Sequence, residues 1–253
     1  QDLSSDIRLF EIAYRGPFTP ATPGSHIDVT VMIGGRPAKR SYSTLGPGVD
    51  GRYQIAVKRA ADSRGGSAYM WSLQAGAHLQ MSAPLNHFEL NRDCPDYLLV
   101  AGGIGVTPIL SMARALSEQG AKFKVLYGCR SPADAAFADE LKDLAGERLQ
   151  FFFDSEGQRI DFAGEIARLD SQGELYVCGP LGMLDAARSA WAQADRAPTH
   201  LRFETFGNSG RHPNMAFTLH IANLDRTIEV GKTQTMLEAM EEAGVEAMFD
   251  CRR

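Results

Sequence analysis

The first 95 residues alternate between apolar and polar side chains over short runs, and clusters of Gly and Pro separate the runs. A period of two is typical of half-buried β-strands, which we predict at residues 7–14, 26–33, 53–58 and 78–82. Short antiparallel strands at this spacing favour a small barrel or sandwich over residues 1–95.

From residue 96 the pattern changes to strands that alternate with helices. Residues 97–101 (YLLVA) are a continuous apolar run, as expected of a strand buried on both faces. Further predicted strands are 123–127, 149–153 and 175–178, and the predicted helices are 108–119, 133–144 and 181–194. Successive βαβ units predict a parallel sheet, so we expect an α/β domain over residues 96–206.

The last part of the chain is a separate piece. Residues 207–214 are rich in Gly, Ser, Pro and Asn, which predicts a linker between domains. Residues 215–253 then predict a hairpin (216–223 and 226–230) and a helix (235–243), a piece small for an independent core. The whole chain is therefore expected to be an α+β multidomain protein.

Composition excludes several classes of protein. The chain has 253 residues, of which 44% are hydrophobic and 23% charged, so it is neither disordered throughout nor fibrous. A net charge of −5 argues against broad nucleic-acid binding, which needs a basic face. No apolar run reaches the length of a membrane-spanning helix. The four scattered cysteines and six histidines show no disulfide or zinc spacing, and this cysteine usage favours a reducing cytoplasm.

Two glycine-rich turns each follow a buried strand and open a helix. Glycines let the backbone approach a pyrophosphate, and a helix N-terminus offers free N–H groups. Proline stands where the dinucleotide fingerprint has its third glycine, so the first turn alone is equally consistent with a structural turn. Both turns would lie at the carboxyl ends of strands, which favours a nicotinamide nucleotide site. The turns are Gly102-Gly103-Ile104-Gly105-Val106-Thr107-Pro108 and Cys178-Gly179-Pro180-Leu181-Gly182-Met183.

Together with these turns, four further motifs occur in a specific order along nearly the whole chain. They are Arg40-Ser41-Tyr42-Ser43, Val57-Lys58, Gly65-Gly66-Ser67 and Phe203-Glu204-Thr205-Phe206-Gly207. In this order and spacing the sequence resembles the ferredoxin–NADP⁺ reductase superfamily, and within it the phthalate dioxygenase reductase type.

The resemblance implies a flavin site in the first domain. It implies that Tyr42 packs on the flavin, Ser43 lies near the ring N5 and Arg40 meets the phosphate. It also implies that the turn after Arg64 caps that phosphate. The remaining implied flavin contacts are Ser41, Ala56, Val57, Lys58, Gly65, Gly66 and Ser67. FMN is preferred to FAD, because we find no separate adenine-binding insertion.

The resemblance also implies the residues of the hydride-transfer site. Cys178 would lie close to the reactive carbon of the nicotinamide and orient it, Phe206 would cover the flavin face, and Thr107 and Ser43 would complete the site. The implied nucleotide contacts are Gly102, Gly103, Ile104, Gly105, Thr107, Pro108, Arg130, Cys178, Gly179, Pro180 and Met183. NADH is favoured over NADPH, although Arg130 could serve either nucleotide.

The resemblance implies a reductase component that takes electrons from NADH through FMN. A [2Fe–2S] cluster in the full-length protein would pass them to a Rieske-type aromatic-ring oxygenase or O-demethylase. The alternatives are a stand-alone flavin reductase, an electron-transfer subunit for another oxidase, or a non-catalytic flavin-binding redox module.

The third piece resembles the start of a plant-type [2Fe–2S] ferredoxin domain. Such a cluster needs four cysteines, and only the first, Cys251, is present. Cys251 is therefore expected to bind metal only in a longer chain.

Overall fold

A computed structural model describes residues 1–60, 63–206, 215–232 and 234–246 of the chain. Its contacts divide the chain into two compact units, Gln1–Phe206 and Gly207–Arg253. The predicted linker at 207–214 and the candidate cluster ligand Cys251 lie outside the described residues. The two units are described separately.

The N-terminal part of the first unit consists of antiparallel strands and one short helix. These are β1 (Ile7–Ala13), β2 (Ser25–Ile33), β3 (Arg36–Ser43), β4 (Arg52–Lys58), α1 (Gly66–Ser72) and β5 (Leu85–Asn86). β1 pairs with β4, and β2 lies between β3 and β5. Alternate residues of β2 (Ile27, Val29 and Val31) point inward and are fully buried, which explains the period of two in the sequence.

The antiparallel strands form two sheets that share one core, joined by an isolated bridge between Thr44 and Ile55. The prediction of a strand at 78–82 was wrong. This segment lies beside β2 and forms only a single bridge, between Met81 and Val29. Backbone hydrogen bonds hold it there, including one from Ser82 N to the Asp28 carbonyl at 2.9 Å.

The following part of the unit is a five-stranded parallel sheet with the strand order β10-β9-β6-β7-β8. Its strands are β6 (Tyr97–Gly102), β7 (Phe123–Cys129), β8 (Leu149–Phe153), β9 (Glu174–Cys178) and β10 (Leu201–Glu204). Its helices are α2 (Val106–Glu118), α3 (Ala138–Ala145), α4 (Phe162–Arg168) and α5 (Leu181–Gln193). Buried clusters cover both faces of the sheet, so the predicted fold class is confirmed.

Two helices differ from the sequence-based expectation. α3 begins five residues later than predicted, because residues 132–134 form a separate 3₁₀ turn and Phe137 adopts a left-handed conformation with φ 60°. α4 was not predicted. Its start is marked by Asp161, whose carboxylate accepts a hydrogen bond from Gly164 N at 3.0 Å, a standard N-cap arrangement.

Helix α2 contacts the antiparallel part of the unit (residues 1–95) as well as the parallel sheet. Because the sequence predicts a flavin site in residues 1–95, this part is called the flavin half below. The Ser111 hydroxyl accepts a hydrogen bond from Gly24 N at 3.1 Å. One turn further along the helix, the Arg114 guanidinium donates to the Leu45 carbonyl and binds the Glu140 carboxylate. The helix that follows the first glycine-rich turn is therefore fixed to both halves of the unit.

The second unit contains a hairpin and a helix, as the sequence predicts. β11 (Phe217–Ile221) pairs with β12 (Arg226–Val230), and α6 (Met236–Glu242) follows. Thr235 caps α6 through a reciprocal pair of hydrogen bonds with Glu238. Ile228, Val230, Ala239 and Val245 form its small buried core.

Candidate functional site

A cavity of about 640 Å³ opens at the carboxyl ends of the parallel strands. Its wall includes residues of both glycine-rich turns, the end of β7, the segment after β8 and one residue of the flavin half, Lys58. Open α/β sheets bind ligands at this edge, and the volume lies within the range of small-molecule sites.

The two glycine-rich turns touch through their backbones. A Cβ atom on Gly105 would lie 2.1 Å from the Cys178 carbonyl oxygen, and one on Gly102 would lie 2.5 Å from Pro180 Cδ. A Cβ atom on Gly179 would likewise lie 3.0 Å from the Cα of Gly102. Close packing of one turn against the other thus requires glycine at these three positions. The sequence predicted glycine there only for the approach of a pyrophosphate.

Gly103 has a different role from its neighbours. It adopts φ +52°, lines the cavity, and has no heavy atom within 4 Å of the position that a Cβ would take. Met183 lines the cavity beside it, with its thioether against Gly102, Gly179 and Gly128. Gly103 and Met183 are thus the parts of the two turns best placed to meet a ligand.

Part of the cavity wall is apolar, and an ion pair also lines the wall. Phe152, Ile160 and Phe162 form the apolar wall. Asp154 follows the last residue of β8, and its carboxylate binds the Arg159 guanidinium at 2.6 Å. None of these residues was predicted from the sequence, although Asp154 directly follows the predicted strand 149–153 at the edge where ligands bind.

Two further cations line the same cavity, and one of them, Arg130, lies next to Asp154 because β7 and β8 are neighbouring strands. Arg130 follows β7 and Lys58 ends β4, and both line the wall. Asp6, just before β1, binds both side chains through its Oδ2 atom, at 3.1 Å from Arg130 Nη2 and 3.4 Å from Lys58 Nζ. Cys129 lies nearby, and burial raises the pKa of its thiol to about 11, so that it stays protonated at neutral pH.

The predicted phosphate-binding residues of the flavin half lie together. Gly65 has φ 95° and precedes α1, whose first residue is Gly66. A Cβ on Gly66 would lie 2.9 Å from Arg40 Cγ and Nε, so the Arg40 side chain lies directly over this turn. Gly66 thus leaves room for the guanidinium at the turn, and Arg64 beside it is exposed.

Tyr42 and Ser43 supply further features that fit a flavin. Tyr42 is half-buried against the core of the antiparallel sheets, and burial raises its pKa to about 12, so the phenol is neutral. The Ser43 hydroxyl is buried and has no hydrogen-bond partner in the described part of the chain. A buried polar atom without a partner is costly, and a hydrogen bond to a bound cofactor would remove that cost.

Other predicted flavin contacts are engaged within the protein. The Ser41 hydroxyl donates to Asp28 at 2.6 Å, and the Ser67 hydroxyl donates to Ser63 at 2.9 Å. The Val57 carbonyl accepts from Trp71 Nε1 at 3.1 Å. These interactions position the strands and the turn, and Ala56 is buried with them.

The four residues predicted for hydride transfer come from separate elements. Thr107 is buried in the first turn of α2, and its hydroxyl donates to the Ile104 carbonyl at 3.0 Å. Pro108 is buried next to it. Cys178 is fully buried at the end of β9, whereas Phe206 is 38% exposed. Cys178 lies at the contact between the two turns, whereas Thr107 lies within the first turn.

The described ranges contain neither a cluster of metal-binding side chains nor a membrane-spanning helix. No group of three or more His, Cys, Asp or Glu side chains there could hold a metal ion. Among those residues, no helix combines the length and the apolar character needed to cross a membrane.

Comparisons with known proteins agree with this geometry. Residues 1–90 match the oxidoreductase FAD-binding domain family, and residues 99–189 match the oxidoreductase NAD-binding domain family. The phenoxybenzoate dioxygenase subunit beta of Ectopseudomonas oleovorans is 34% identical over 99% of this chain and 78% of its own length. A solved structure of phthalate dioxygenase reductase is 30% identical, with a TM-score of 0.81 over 99% of this chain and 80% of that one. The chain belongs to the phthalate dioxygenase reductase family.

Membership of the phthalate dioxygenase reductase family confirms the resemblance seen in the sequence. The chain is thus an NAD(H)-dependent flavin oxidoreductase of the type found as reductase component in oxygenase systems. It also matches an intact type IV self-sufficient cytochrome P450 monooxygenase, at 32% identity and a TM-score of 0.78. That match covers 99% of this chain but only 33% of the larger one.

Proposed function

We propose that this member of the phthalate dioxygenase reductase family takes electrons from NADH through FMN. In the full-length protein a [2Fe–2S] cluster would pass them to a Rieske-type oxygenase acting on an aromatic compound. The observation that carries the proposal is the position of Lys58. It ends a strand of the flavin half and also lines the nucleotide cavity, so the two candidate sites adjoin.

The residues of the flavin half fit FMN. Arg40 lies over the Gly65-Gly66 turn at the start of α1 and offers a cation to a phosphate. Tyr42 offers an aromatic surface, and Ser43 offers a buried hydroxyl. When bound, the flavin accepts two electrons from the nucleotide and releases them singly. FMN is proposed over FAD because the sequence shows no added adenine-binding segment, and mass spectrometry of the released flavin tests this choice.

At the nucleotide cavity, the protein binds and orients the substrate. The apolar wall of Phe152, Ile160 and Phe162 suits the adenine ring. Gly103 allows close approach of the pyrophosphate, and Arg130 supplies a positive charge for it. Thr107 and Cys178 would border the nicotinamide, with Phe206 excluding water from the flavin face. The role proposed for Cys178 is to orient the ring, with no covalent bond formed to its sulfur.

The preference for NADH rests on Asp154. A carboxylate at the end of a strand accepts hydrogen bonds from ribose hydroxyls and repels a 2′-phosphate. We expect Asp154→Asn to lower the KM for NADPH several-fold while changing the KM for NADH less. Steady-state kinetics with both nucleotides measures this, with Asp161→Asn, at the cap of α4, as a matched control for loss of one carboxylate. Equal effects on both nucleotides would argue against this role of Asp154.

The oxygenase partner is proposed from the relatives. A dioxygenase subunit among them supports a Rieske-type partner, whereas the similarity to the P450 monooxygenase supports a haem oxygenase as the second candidate. Reduction of purified oxygenases of the two classes by this reductase and NADH would distinguish them. The cluster-containing full-length protein is required for this comparison.

An anaerobic visible spectrum tests the core of the proposal. Protein reconstituted with FMN and mixed with one equivalent of NADH should lose its flavin absorbance within about a second, a typical enzymatic turnover time. It should also reduce ferricyanide catalytically. A protein that binds no flavin would contradict the proposal, and slow bleaching would indicate a non-catalytic redox module.

A further inference from the structure

Asp6 stands at a junction between the flavin half and the nucleotide cavity. It precedes β1, whereas its two cationic partners end β4 and follow β7. Lys58 and Arg130 both line the cavity, but Asp6 is not part of the wall. A single carboxylate oxygen outside the cavity thus binds two cations that line it.

The protein fixes the position of this carboxylate. The Ser4 hydroxyl donates to Asp6 Oδ1 at 3.1 Å, and the Asp6 carbonyl accepts a hydrogen bond from Arg59 N at 2.6 Å. The next residue, Ile7, is buried against Ala56 and Ala136, which joins the two halves at this point. Asp6 is therefore held firmly, with its side chain 22% exposed.

Arg130 is held much less firmly than Asp6. Its side chain is 66% exposed, and its second carboxylate, on Asp134, is 4.0 Å away. The Asp134 carboxylate also accepts a hydrogen bond from the Ser131 hydroxyl at 2.6 Å. An anion that enters the cavity can thus attract the guanidinium away from Asp6 by rotation of one exposed side chain.

We propose that Asp6 is a positioning residue that competes with the pyrophosphate of the nucleotide for Arg130. The inference rests on the proposed nucleotide site. Before binding, Asp6 neutralises part of the positive charge of Arg130 and Lys58. On binding, the guanidinium transfers from Asp6 to the pyrophosphate, while Lys58 remains with the carboxylate. Asp6 thereby lowers nucleotide affinity and favours release of the oxidised product.

The test is the affinity for ADP-ribose, which carries the pyrophosphate without the nicotinamide. Exposed ion pairs are weak, so Asp6→Asn should lower the inhibition constant of ADP-ribose about two- to fivefold. The KM for NADH should fall by a similar factor, while kcat at saturating NADH stays constant if product release is not rate-limiting. The effect should shrink at high salt, because exposed charges are then screened. A loss of structure alone would not produce tighter binding.

Three variants provide controls. Asp2→Asn removes another carboxylate of the same N-terminal segment. Asp2 binds Arg8 at 2.6 Å, and neither residue lines the cavity, so this variant should leave the inhibition constant of ADP-ribose unchanged. In an Arg130→Gln background, Asp6→Asn should have little further effect. Asp6→Ser removes the same charge with a different shape and should act in the same direction as Asp6→Asn.

Weaker or unchanged binding of ADP-ribose to both Asp6 variants would overturn the proposal. So would an undiminished effect in the Arg130→Gln background. Bleaching of the wild-type flavin by NADH is measured in the same preparations. If bleaching fails, the proposed function fails, whereas normal bleaching with unaltered ADP-ribose affinity removes only the role of Asp6.

Discussion

Glu174 offers a quantitative test of how the parallel sheet is held to the segment that precedes it. It begins β9, at the end of the strand away from the cavity, and its side chain is 4% exposed. Its carboxylate accepts hydrogen bonds from Tyr176 Oη at 2.6 Å, Asn91 Nδ2 at 2.7 Å and Arg202 Nε at 3.0 Å. Burial opposes ionisation of the group, but these three donors outweigh it and lower the pKa of Glu174.

Replacement of Glu174 by Gln keeps the shape and removes the charge. One amide oxygen can still accept from two donors, but the new NH₂ group must face a third donor. Hydrogen bonds to a charged group contribute about 1.5–3 kcal/mol each, and part of this remains in the variant. We therefore expect Glu174→Gln to lower the free energy of unfolding by about 2–4 kcal/mol, on the scale of a broken buried pair.

The stability difference should depend on pH in one direction. Because the folded pKa of Glu174 lies below the unfolded value, its contribution is complete above the unfolded pKa of about 4.3. It is lost as the pH falls through the lower, folded pKa. Urea unfolding of wild type and Glu174→Gln should give the same difference in the free energy of unfolding at pH 7 and pH 5. At pH 3.5 that difference should be smaller.

Glu118→Gln is the matched control, because Glu118 is exposed at the end of α2. It should change the free energy of unfolding by less than about 0.5 kcal/mol. If Glu174→Gln lowers the free energy of unfolding at pH 7 by less than about 0.5 kcal/mol, the reasoning is refuted. A difference that persists unchanged at pH 3.5 would show that the charge is not its source.

Two further predictions concern glycines at the candidate sites. Gly105→Ala should destabilise the protein by about 1–3 kcal/mol or more, because its methyl group would overlap the Cys178 carbonyl. Urea unfolding measures this against Gly182→Ala, where the added methyl meets open space. Gly66→Ala should chiefly weaken flavin retention, since only the flexible Arg40 side chain must move. Gel filtration with a flavin assay measures this loss, and full retention would remove Gly66 from the phosphate site.

Much of the fold follows directly from local sequence patterns. The helix that starts near Pro108 and the strand at 97–101 were predicted because glycine and proline mark the boundary between them. The boundary of α3 was wrong because Phe137 takes a left-handed conformation that bulky residues rarely adopt. The prediction of a strand at 78–82 was wrong because the extent of its pairing with the distant strand β2 is not encoded in the local pattern.

The candidate site was predictable where a turn motif carries it. Gly103 and Met183 line the cavity as the motifs indicate. The need for Gly105 to pack against Cys178 could not be derived, because the two residues lie 73 positions apart in the chain (178 − 105). The contact of Asp6 with Arg130 joins residues 124 positions apart, and only the folded chain brings them together.

The attachment of α2 has a consequence for changes in loop length. Ser111 and Arg114 lie on the helix that opens from the nucleotide turn, and they bind backbone groups of Gly24 and Leu45 in the flavin half. One residue inserted in the first turn of α2 would rotate the rest of the helix by about 100° relative to the turn. Both attachments would then be lost, or the turn itself would be displaced. The helix thus acts as a fixed spacer between the two halves, and its length and phase must be conserved when the nucleotide turn is redesigned.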